Sequence, residues 1–256
     1  MTWRWFSQVR AVVRGVVSGG VQHGGMARRA AGGTGAAGGA GVKGARRPEV
    51  RLPELEPFGG GELEPDGDYD GLEFRELDFA GQDGAGARFM DCAVTGCALD
   101  ETRLRHARLL DAVLTAPRGV GTDLAEATLC DVEVVDARLG GTQLHGAVLE
   151  RVVIRGGKID YLNLRTARLR DVVFEGCVLV EPDFGGARLE RVEFVDCALK
   201  GADLTSAVLK DVDLRAATEI GIARGVERLA GAVISTAQLM DLAPVLAVQM
   251  GIRVEG

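Results

Sequence analysis

The chain has 256 residues, of which 30 are Lys or Arg and 37 are Asp or Glu; only 5 % are aromatic, which predicts a narrow, aliphatic core. No run of 18 apolar residues occurs, so no transmembrane helix is expected. The five cysteines are odd in number and include no Cys-x-x-Cys pair, which argues against a disulfide framework and against a zinc site.

The first region, residues 1–50, is predicted to be a disordered basic tail. It holds eight basic residues and a single acid, Glu49. Residues 27–47 are Gly, Ala and Arg with little else, and they offer too little apolar surface to fold. The apolar stretch at residues 11–17 is interrupted by Arg14, which makes a poor signal-peptide core. A cytoplasmic location is therefore expected.

The start of the tail has an alternative interpretation. Trp3, Trp5 and Phe6 stand among basic residues, a pattern that is also typical of a segment lying on an anionic membrane surface. An unstructured tail is the interpretation that we favour. Met26 begins the sequence MARRA and is a second candidate for the translation start.

An acidic lead-in follows at residues 51–70, punctuated by Pro and Gly. Residues 54–83 contain 11 acids and one base, Arg75. We expect the lead-in to be extended and to cover the first coil of the region that follows it.

The central region, residues 71–217, carries a five-residue repeat. Of the 29 positions in the frame from 74 to 214, 27 are Leu, Ile, Val or Phe, and the exceptions are Gly84 and Gly119. The positions two earlier are mostly small or β-branched, and those two later are mostly polar or Gly. A fixed repeat favours a stacked architecture in which each unit buries its inward side against its neighbours. The polar or Gly position is then expected at a corner of the chain.

This repeat resembles the pentapeptide repeat family, whose motif is roughly Ala-(Asp/Asn)-Leu-x-x. Close matches are ADLTS, TDLAE, PDFGG and LNLRT, which begin at positions 202, 122, 182 and 162. The resemblance implies an all-β solenoid, a right-handed quadrilateral β-helix with four pentapeptides per coil. The 28 repeats centred on positions 79 to 214 would then make about seven coils. At about 4.8 Å per coil the rod would be roughly 34 Å long.

Four pentapeptides per coil predict a second period of 20 residues, and the sequence has one. Every twentieth inward small residue from 87 to 207 is Ala, and another such ladder from 132 to 212 is Val. Charges alternate along one corner, through Asp131, Arg151, Asp171, Arg191 and Asp211. Pairs of this kind contribute about 0.2–1 kcal/mol each, so we interpret the ladder as fixing register. In this register Ala147 should not tolerate a larger side chain, whereas Ala125 should.

Residues 218–256 are predicted to form a short C-terminal helical cap. Ser235 or Thr236 is a suitable N-cap, and Gly251 is a suitable stop. Pro244 is expected to break the segment into two short helices or to kink it. The apolar side of the segment should cover the open strand edges of the last coil. A homodimer through the C-terminal helices is an alternative role that is compatible with capping.

The cysteines are the first candidates for chemistry. Four of them fall on inward positions, where a buried thiol behaves as a small hydrophobe: Cys92, Cys97, Cys177 and Cys197. Cys177 and Cys197 are 20 residues apart and therefore stacked, but a disulfide between them is not expected in a reducing compartment. Cys130 follows an inward residue and is the candidate for an exposed, reactive thiol.

The histidines and carboxylates do not form a recognisable site. His23 lies in the tail, and His106 and His145 fall on different faces. One face carries a polar ladder of Asp123, Gln143, Asn163, Asp183 and Asp203. Acid–base catalysis needs a concave site, which a convex rod with a filled interior does not offer. We therefore predict no enzyme activity, no cofactor, and no catalytic, cofactor-binding or metal-binding residues.

Two functions are compatible with the sequence. The first is a non-catalytic scaffold or protein-interaction module, with an unidentified protein partner, no direct nucleic-acid binding and no stable membrane insertion. The second is implied by the resemblance: some family members mimic DNA, bind DNA gyrase or topoisomerase and protect it from quinolones. The net charge of −14 outside residues 1–50 is compatible with mimicry, whereas the net charge of −5 over residues 89–216 weakens it. A basic stripe, Arg88, Arg108, Arg168 and Arg188, weakens it further. We favour the first function.

Overall fold

The computed structural model describes residues 41–255 and turns a corner at every fifth residue. All 30 positions from 66 to 211 in this frame have a positive φ, between 49° and 74°. This is the left-handed region, which Gly adopts freely and Asp or Asn adopts more readily than most residues. The polar or Gly position of each repeat is therefore the corner, as the sequence predicts.

Four corners close one coil, so the solenoid has four faces. We number them by the inward residues of one coil: face 1 at Leu109, face 2 at Leu114, face 3 at Gly119 and face 4 at Leu124. Residues 20 apart pair in parallel on adjacent coils, as Leu149 does with Leu129 and Leu169. The predicted 20-residue period is confirmed.

The strands of residues 41–255 form two parallel sheets. Faces 1 and 2 carry the 12-stranded sheet: β1 (Glu56–Pro57), β2 (Asp68–Asp70), β3 (Leu72–Arg75), β4 (Arg88–Met90), β5 (Ala93–Thr95), β6 (Arg108–Thr115), β8 (Thr128–Val135), β10 (Val148–Arg155), β12 (Arg168–Glu175), β14 (Arg188–Val195), β16 (Val208–Asp213) and β18 (Ala232–Val233). Face 3 carries the six-stranded sheet: β7 (Arg118–Val120), β9 (Arg138–Gly140), β11 (Lys158–Asp160), β13 (Val178–Val180), β15 (Ala198–Asp203) and β17 (Glu219–Arg224). Face 4 is joined by single bridges, for example Asp183 to Asp203.

The solenoid has about nine turns, two more than the sequence predicts. Strand pairing continues into both predicted flanks. In the acidic lead-in β1 pairs with β3, and in the predicted cap β17 pairs with β15 and β18 pairs with β16. These flanking strands lack the five-residue signature, and they form because the neighbouring coil offers unpaired backbone groups.

The core is less uniformly aliphatic than the composition predicts. Its N-terminal end is aromatic: Phe58 stacks on Phe74 with ring centroids 4.7 Å apart, and Tyr69 stacks on Phe89 at 4.9 Å. Further along, Phe174 and Phe194 stack at 4.9 Å with their planes only 3° apart. Tyr69 and Phe89, like Phe174 and Phe194, are 20 residues apart and therefore stack on adjacent coils, whereas Phe58 reaches Phe74 from the lead-in.

The two exceptions in the inward frame have separate explanations. At Gly84 an added Cβ would lie 3.3 Å from the Cβ of Leu63, a buried residue of the lead-in that fills the space. At Gly119 an added Cβ would lie 2.7 Å from the carbonyl carbon of Leu99, because the backbone itself approaches there. Neither glycine interrupts the coil.

A single helix closes the C-terminal end. A 3₁₀ turn at Val226–Arg228 leads to α1, Thr236–Gln249, whose N-cap Ser235 forms a capping box with Gln238. The helix continues through Pro244, so the predicted break into two helices is wrong. Both Pro244 and Met240 are exposed, so water can bond the Met240 carbonyl that loses its partner N–H.

The prediction for Ala125 is also wrong. Ala147 is fully buried, as its inward register requires, but Ala125 on the outside of face 4 is fully buried too. The guanidinium of Arg105, on the preceding coil, lies 3.2 Å from Asp123, which brings its long side chain over this part of the face. A small side chain in a ladder of longer ones is covered by its neighbours, whichever side of the strand it occupies.

Candidate interaction surface

The polar ladder on face 4 supports the corners of the chain. Asp183 Oδ1 accepts a hydrogen bond from the backbone N–H of Gly185 at 2.8 Å, and Asp203 Oδ1 accepts one from Thr205 at 2.8 Å. Asn163 does the same for Arg165 at 3.1 Å. These side chains satisfy backbone donors at the turn, which is why the repeat motif prefers Asp or Asn there.

The other candidate residues are likewise engaged in the fold. Cys92, Cys97, Cys177 and Cys197 are buried, and none of the five cysteines is in a disulfide. Cys130 is half-buried and its Sγ lies 3.0 Å from Arg151 Nη2. Burial, followed by the contact with Asp131, raises the pKa of the Cys130 thiol to about 11, which disfavours the reactive thiolate.

The histidines are not brought together. His106 is exposed at a corner with φ of 59°, and His145 is half-buried on the outside of face 4. His23 lies outside the described residues. In residues 41–255 no group of three or more His, Cys, Asp or Glu side chains is close enough to hold a metal ion.

The corner ladder between faces 1 and 2 forms two bidentate ion pairs. Arg151 bonds Asp131 with Nε–Oδ1 and Nη2–Oδ2 distances of 2.7 Å each. Arg191 bonds Asp171 at 2.7 and 2.9 Å through the same atoms. Planar, bidentate contacts of this kind fix geometry as well as charge. They link adjacent coils, which supports the register role that the sequence suggests.

Residues 41–50, which fall inside the predicted disordered tail, lie against the solenoid. Their contacts are made by residues 43–48, which we call the basic segment. The backbone N–H of Ala45 donates to Glu193 Oε1 at 2.7 Å, and the backbone N–H of Arg46 donates to Asp171 Oδ1 at 3.1 Å. Composition could not predict this, because a short segment held by charge and backbone hydrogen bonds needs little apolar surface.

Arginine side chains extend these backbone contacts. The Arg46 guanidinium lies 3.1 Å from Asp171 Oδ2, and the Arg47 guanidinium lies 3.0 Å from Glu175 Oε2. At the other end of the segment the Lys43 N–H lies 3.5 Å from Asp211 Oδ1. The segment therefore runs along the rod from the coil of Asp211 towards that of Asp171.

Asp171 is the centre of this surface. It is fully buried, and its burial alone would raise the carboxyl pKa. The hydrogen bonds from Arg191, and from the backbone and side chain of Arg46, outweigh burial and hold the pKa of Asp171 well below its usual range. Asp171 is thus a charged group that accepts hydrogen bonds from two arginines, one of the solenoid and one of the basic segment.

Face 2 has an apolar floor beside these carboxylates. Val153 and Val173 point outward by register, yet they are 2 % and 0 % exposed. Val173 lies in the strand between Asp171 and Glu175, which both bond the basic segment. Pro48 is buried as well. Outward valines on two successive coils are the signal in the sequence that a further segment covers this face.

Other faces are open. Arg118, Arg138 and Lys158 follow one another on face 3, beside a shallow depression of about 640 Å³ that also exposes Asp100 and Asp160. Because the depression is open and of mixed charge, it does not form an enclosed site. On α1, Met240 and Val248 are 68 % and 78 % exposed, although Leu242 is buried.

Two family models match the solenoid. Residues 87–164 match the model described as "Pentapeptide repeat region", and residues 183–218 match the one described as "Pentapeptide repeats (8 copies)". These two stretches of the chain consist of pentapeptide repeats. No curated protein matches this pentapeptide repeat protein in sequence. Among residues 41–255, no helix is both long and apolar enough to cross a membrane.

Several solved structures are similar to it. Trypsin-treated QnrB1, a plasmid-mediated fluoroquinolone resistance protein, is 21 % identical over 75 % of this chain and 93 % of that one, with a TM-score of 0.27. Full-length QnrB1 is 19 % identical, with coverages of 73 % and 92 % and a TM-score of 0.29. HetL, a pentapeptide repeat protein involved in heterocyst differentiation regulation from the cyanobacterium Nostoc sp. strain PCC 7120, is 19 % identical, with coverages of 68 % and 92 % and a TM-score of 0.27. At these sequence identities and TM-scores, the similarity does not indicate a partner or an activity for this chain.

Proposed function

We propose that this pentapeptide repeat protein is a non-catalytic scaffold that binds a protein partner through the outer faces of its solenoid. One observation carries the proposal: the polar side chains of the repeats are used to build the rod. The face 4 carboxylates bond turn amides, Asp131 and Asp171 bond arginines of adjacent coils at the corners, and the interior is filled by side chains. What is left for function is a rigid outer surface, which suits binding rather than catalysis.

The DNA-mimic alternative is less well supported by the charge pattern. A mimic of the DNA backbone needs rows of uncompensated negative charge. Here carboxylates are paired with arginines from adjacent coils, such as Asp183 with Arg165 at 3.1 Å and Asp203 with Arg224 at 3.4 Å. Such pairs neutralise carboxylates of the polar ladder on face 4.

The proposed location is the cytoplasm, and the proposed second interface is a homodimer through α1. The helix uses Gln238 and Leu242 against the last coil, and the Gln238 Nε2 donates to the carbonyl oxygen of Leu214 at 2.8 Å. Its opposite side exposes Met240 and Val248. An exposed apolar side of this kind fits a second copy of the same helix.

The test is affinity capture from the source cell with the full chain as bait, followed by titration of each purified candidate. We expect saturable binding of one protein, weakened when Arg118 and Arg138 on face 3 or Arg168 and Arg188 on face 1 are changed to Glu. A chain with no saturable protein partner would contradict the proposal.

A supercoiling assay separates the two functions. We expect DNA gyrase activity to be unchanged at micromolar concentrations of the chain. Strong inhibition that is lost when Asp183 and Asp203 are changed to Asn would establish the mimic instead.

A further inference from the structure

We propose that Asp171, Glu175 and Glu193 form a binding site for an extended peptide containing two consecutive arginines, and that this chain fills the site with its own residues 43–48. The site lies at the corner between faces 1 and 2 and extends onto face 2. It has acceptors for the peptide backbone, acceptors for two guanidinium groups and an apolar floor.

The backbone contacts make the site a peptide site rather than a general cation site. Two successive N–H groups, those of Ala45 and Arg46, donate to carboxylates on two different coils, Glu193 at 2.7 Å and Asp171 at 3.1 Å. The two acceptors lie on adjacent coils, so a short segment that runs along the rod contacts both of them. Among the described residues, Glu193 has no arginine partner, and its donor is the backbone N–H of Ala45. A free cation would not supply this N–H group.

The side-chain contacts select arginine. Asp171 Oδ2 accepts from Arg46 Nη2 at 3.1 Å and from Arg46 Nε at 3.3 Å, and Arg47 reaches Glu175 Oε2 at 3.0 Å. Two nitrogens of the planar Arg46 guanidinium converge on one carboxylate oxygen, which the single ammonium nitrogen of Lys cannot do, whereas Arg47 makes one contact. Beside them, the fully buried Val173 provides the apolar floor.

The basic segment is held weakly enough that another peptide can replace it in the site. Residues 41–52 belong to no strand, so the basic segment adds no ladder of hydrogen bonds to the sheet. The side chains of Arg46 and Arg47 are 63 % and 47 % exposed, so solvent and salt weaken their ion pairs. A tethered segment of this kind acts at an effective concentration of about millimolar, and a partner's peptide competes with it.

This inference rests on the proposed interaction role and names the chemistry of one partner: a protein with an exposed, extended segment of the type Ala-Arg-Arg-Pro. The basic segment then competes for the site within the same chain. Only a partner with higher affinity or high local concentration displaces it.

The test uses the full chain and a fluorescent peptide of residues 41–52, followed by anisotropy at low ionic strength. Wild-type chain should bind the peptide weakly, because its own segment occupies the site. Arg46→Ala/Arg47→Ala should bind it about tenfold more tightly, since the competitor is weakened. Adding Glu193→Ala to that variant should reverse the gain, and this change leaves the Asp171–Arg191 pair intact.

Two controls are matched to the site. A scrambled peptide of the same composition should not show the gain. Asp131→Asn alters the Asp131–Arg151 ion pair, which is equivalent to Asp171–Arg191 but makes no contact with the basic segment. This variant should leave peptide binding unchanged. Binding that is equal for the scrambled peptide, or absent from the Arg46→Ala/Arg47→Ala chain at about 1 mM peptide, would overturn the peptide site. If the bait still captured a partner, the peptide site alone would fail and the interaction role would stand.

Discussion

The ion pairs Asp131–Arg151 and Asp171–Arg191 occupy equivalent positions two coils apart, and they differ in what lies over them. Both are bidentate, and in both the arginine also bonds the preceding glutamate, Glu150 or Glu190, at 2.6 Å. The Asp131 side chain is 23 % exposed, whereas that of Asp171 is fully buried beneath Arg46.

A repeat protein can therefore repeat its geometry without repeating its energetics. The same corner forms in each coil, but a single non-repeating segment turns one surface pair into a buried one. A buried charge depends on each of its partners far more than a surface charge does, because water cannot replace a lost partner.

The largest effect is expected from removing each arginine. Arg191→Ala leaves Asp171 buried with one partner fewer, and we expect a loss of about 2–4 kcal/mol in the free energy of unfolding. Arg151→Ala leaves Asp131 open to water, and we expect a loss of about 1 kcal/mol or less. Urea unfolding of the two variants measures both. Equal losses would mean that the basic segment does not alter the environment of Asp171.

A smaller effect, dependent on pH, is expected for Asp171→Asn. The pKa of Asp171 is lowered in the folded chain, so its contribution to stability is fully present above the unfolded-state pKa of about 4. It is lost as the pH falls through the lower, folded-state pKa. The stability gap between wild type and variant, about 1–3 kcal/mol at pH 7, should therefore narrow below about pH 4.

The measurement is the unfolding free energy of both chains at several pH values. Asp131→Asn is the matched control, because its pKa is also lowered, chiefly by the hydrogen bond from Arg151. The difference in unfolding free energy between wild type and Asp131→Asn should also narrow as the pH falls, but it should be smaller at pH 7. A gap for Asp171→Asn that widens on acidification would contradict the assignment.

The smallest effect is expected from the basic segment itself. Arg46→Ala removes contacts made by an arginine side chain that is largely exposed. We therefore expect the free energy of unfolding to fall by about 1 kcal/mol. Hydrogen exchange at the amides of Ala45 and Arg46 should become faster, since both donate to solenoid carboxylates. Arg51→Ala is the control, because its contact with Glu49 is exposed at both ends, and it should change neither quantity. Fast exchange at Ala45 already in the wild-type chain would argue against the contact.

Much of the fold could be predicted because each repeat encodes its own conformation. The inward frame, the corner two residues later and the 20-residue ladders are all visible in the sequence, and Ala147 and Asp131 lie where that register puts them. The role of the Asp183 ladder in the turns also follows from the motif. By contrast, Ala125 is fully buried on the outside of face 4, which the five-residue frame does not describe.

The coil, its four corners, the filled core and the paired corner charges follow from the sequence, because these are local patterns repeated in phase along the chain. What covers the rod is visible only in the folded chain. The bond between Arg46 and Asp171 joins residues 125 positions apart and occurs once, so no period indicates it. The added turns at both ends and the continuous helix through Pro244 likewise depend on which backbone groups the neighbouring coil and the solvent leave available.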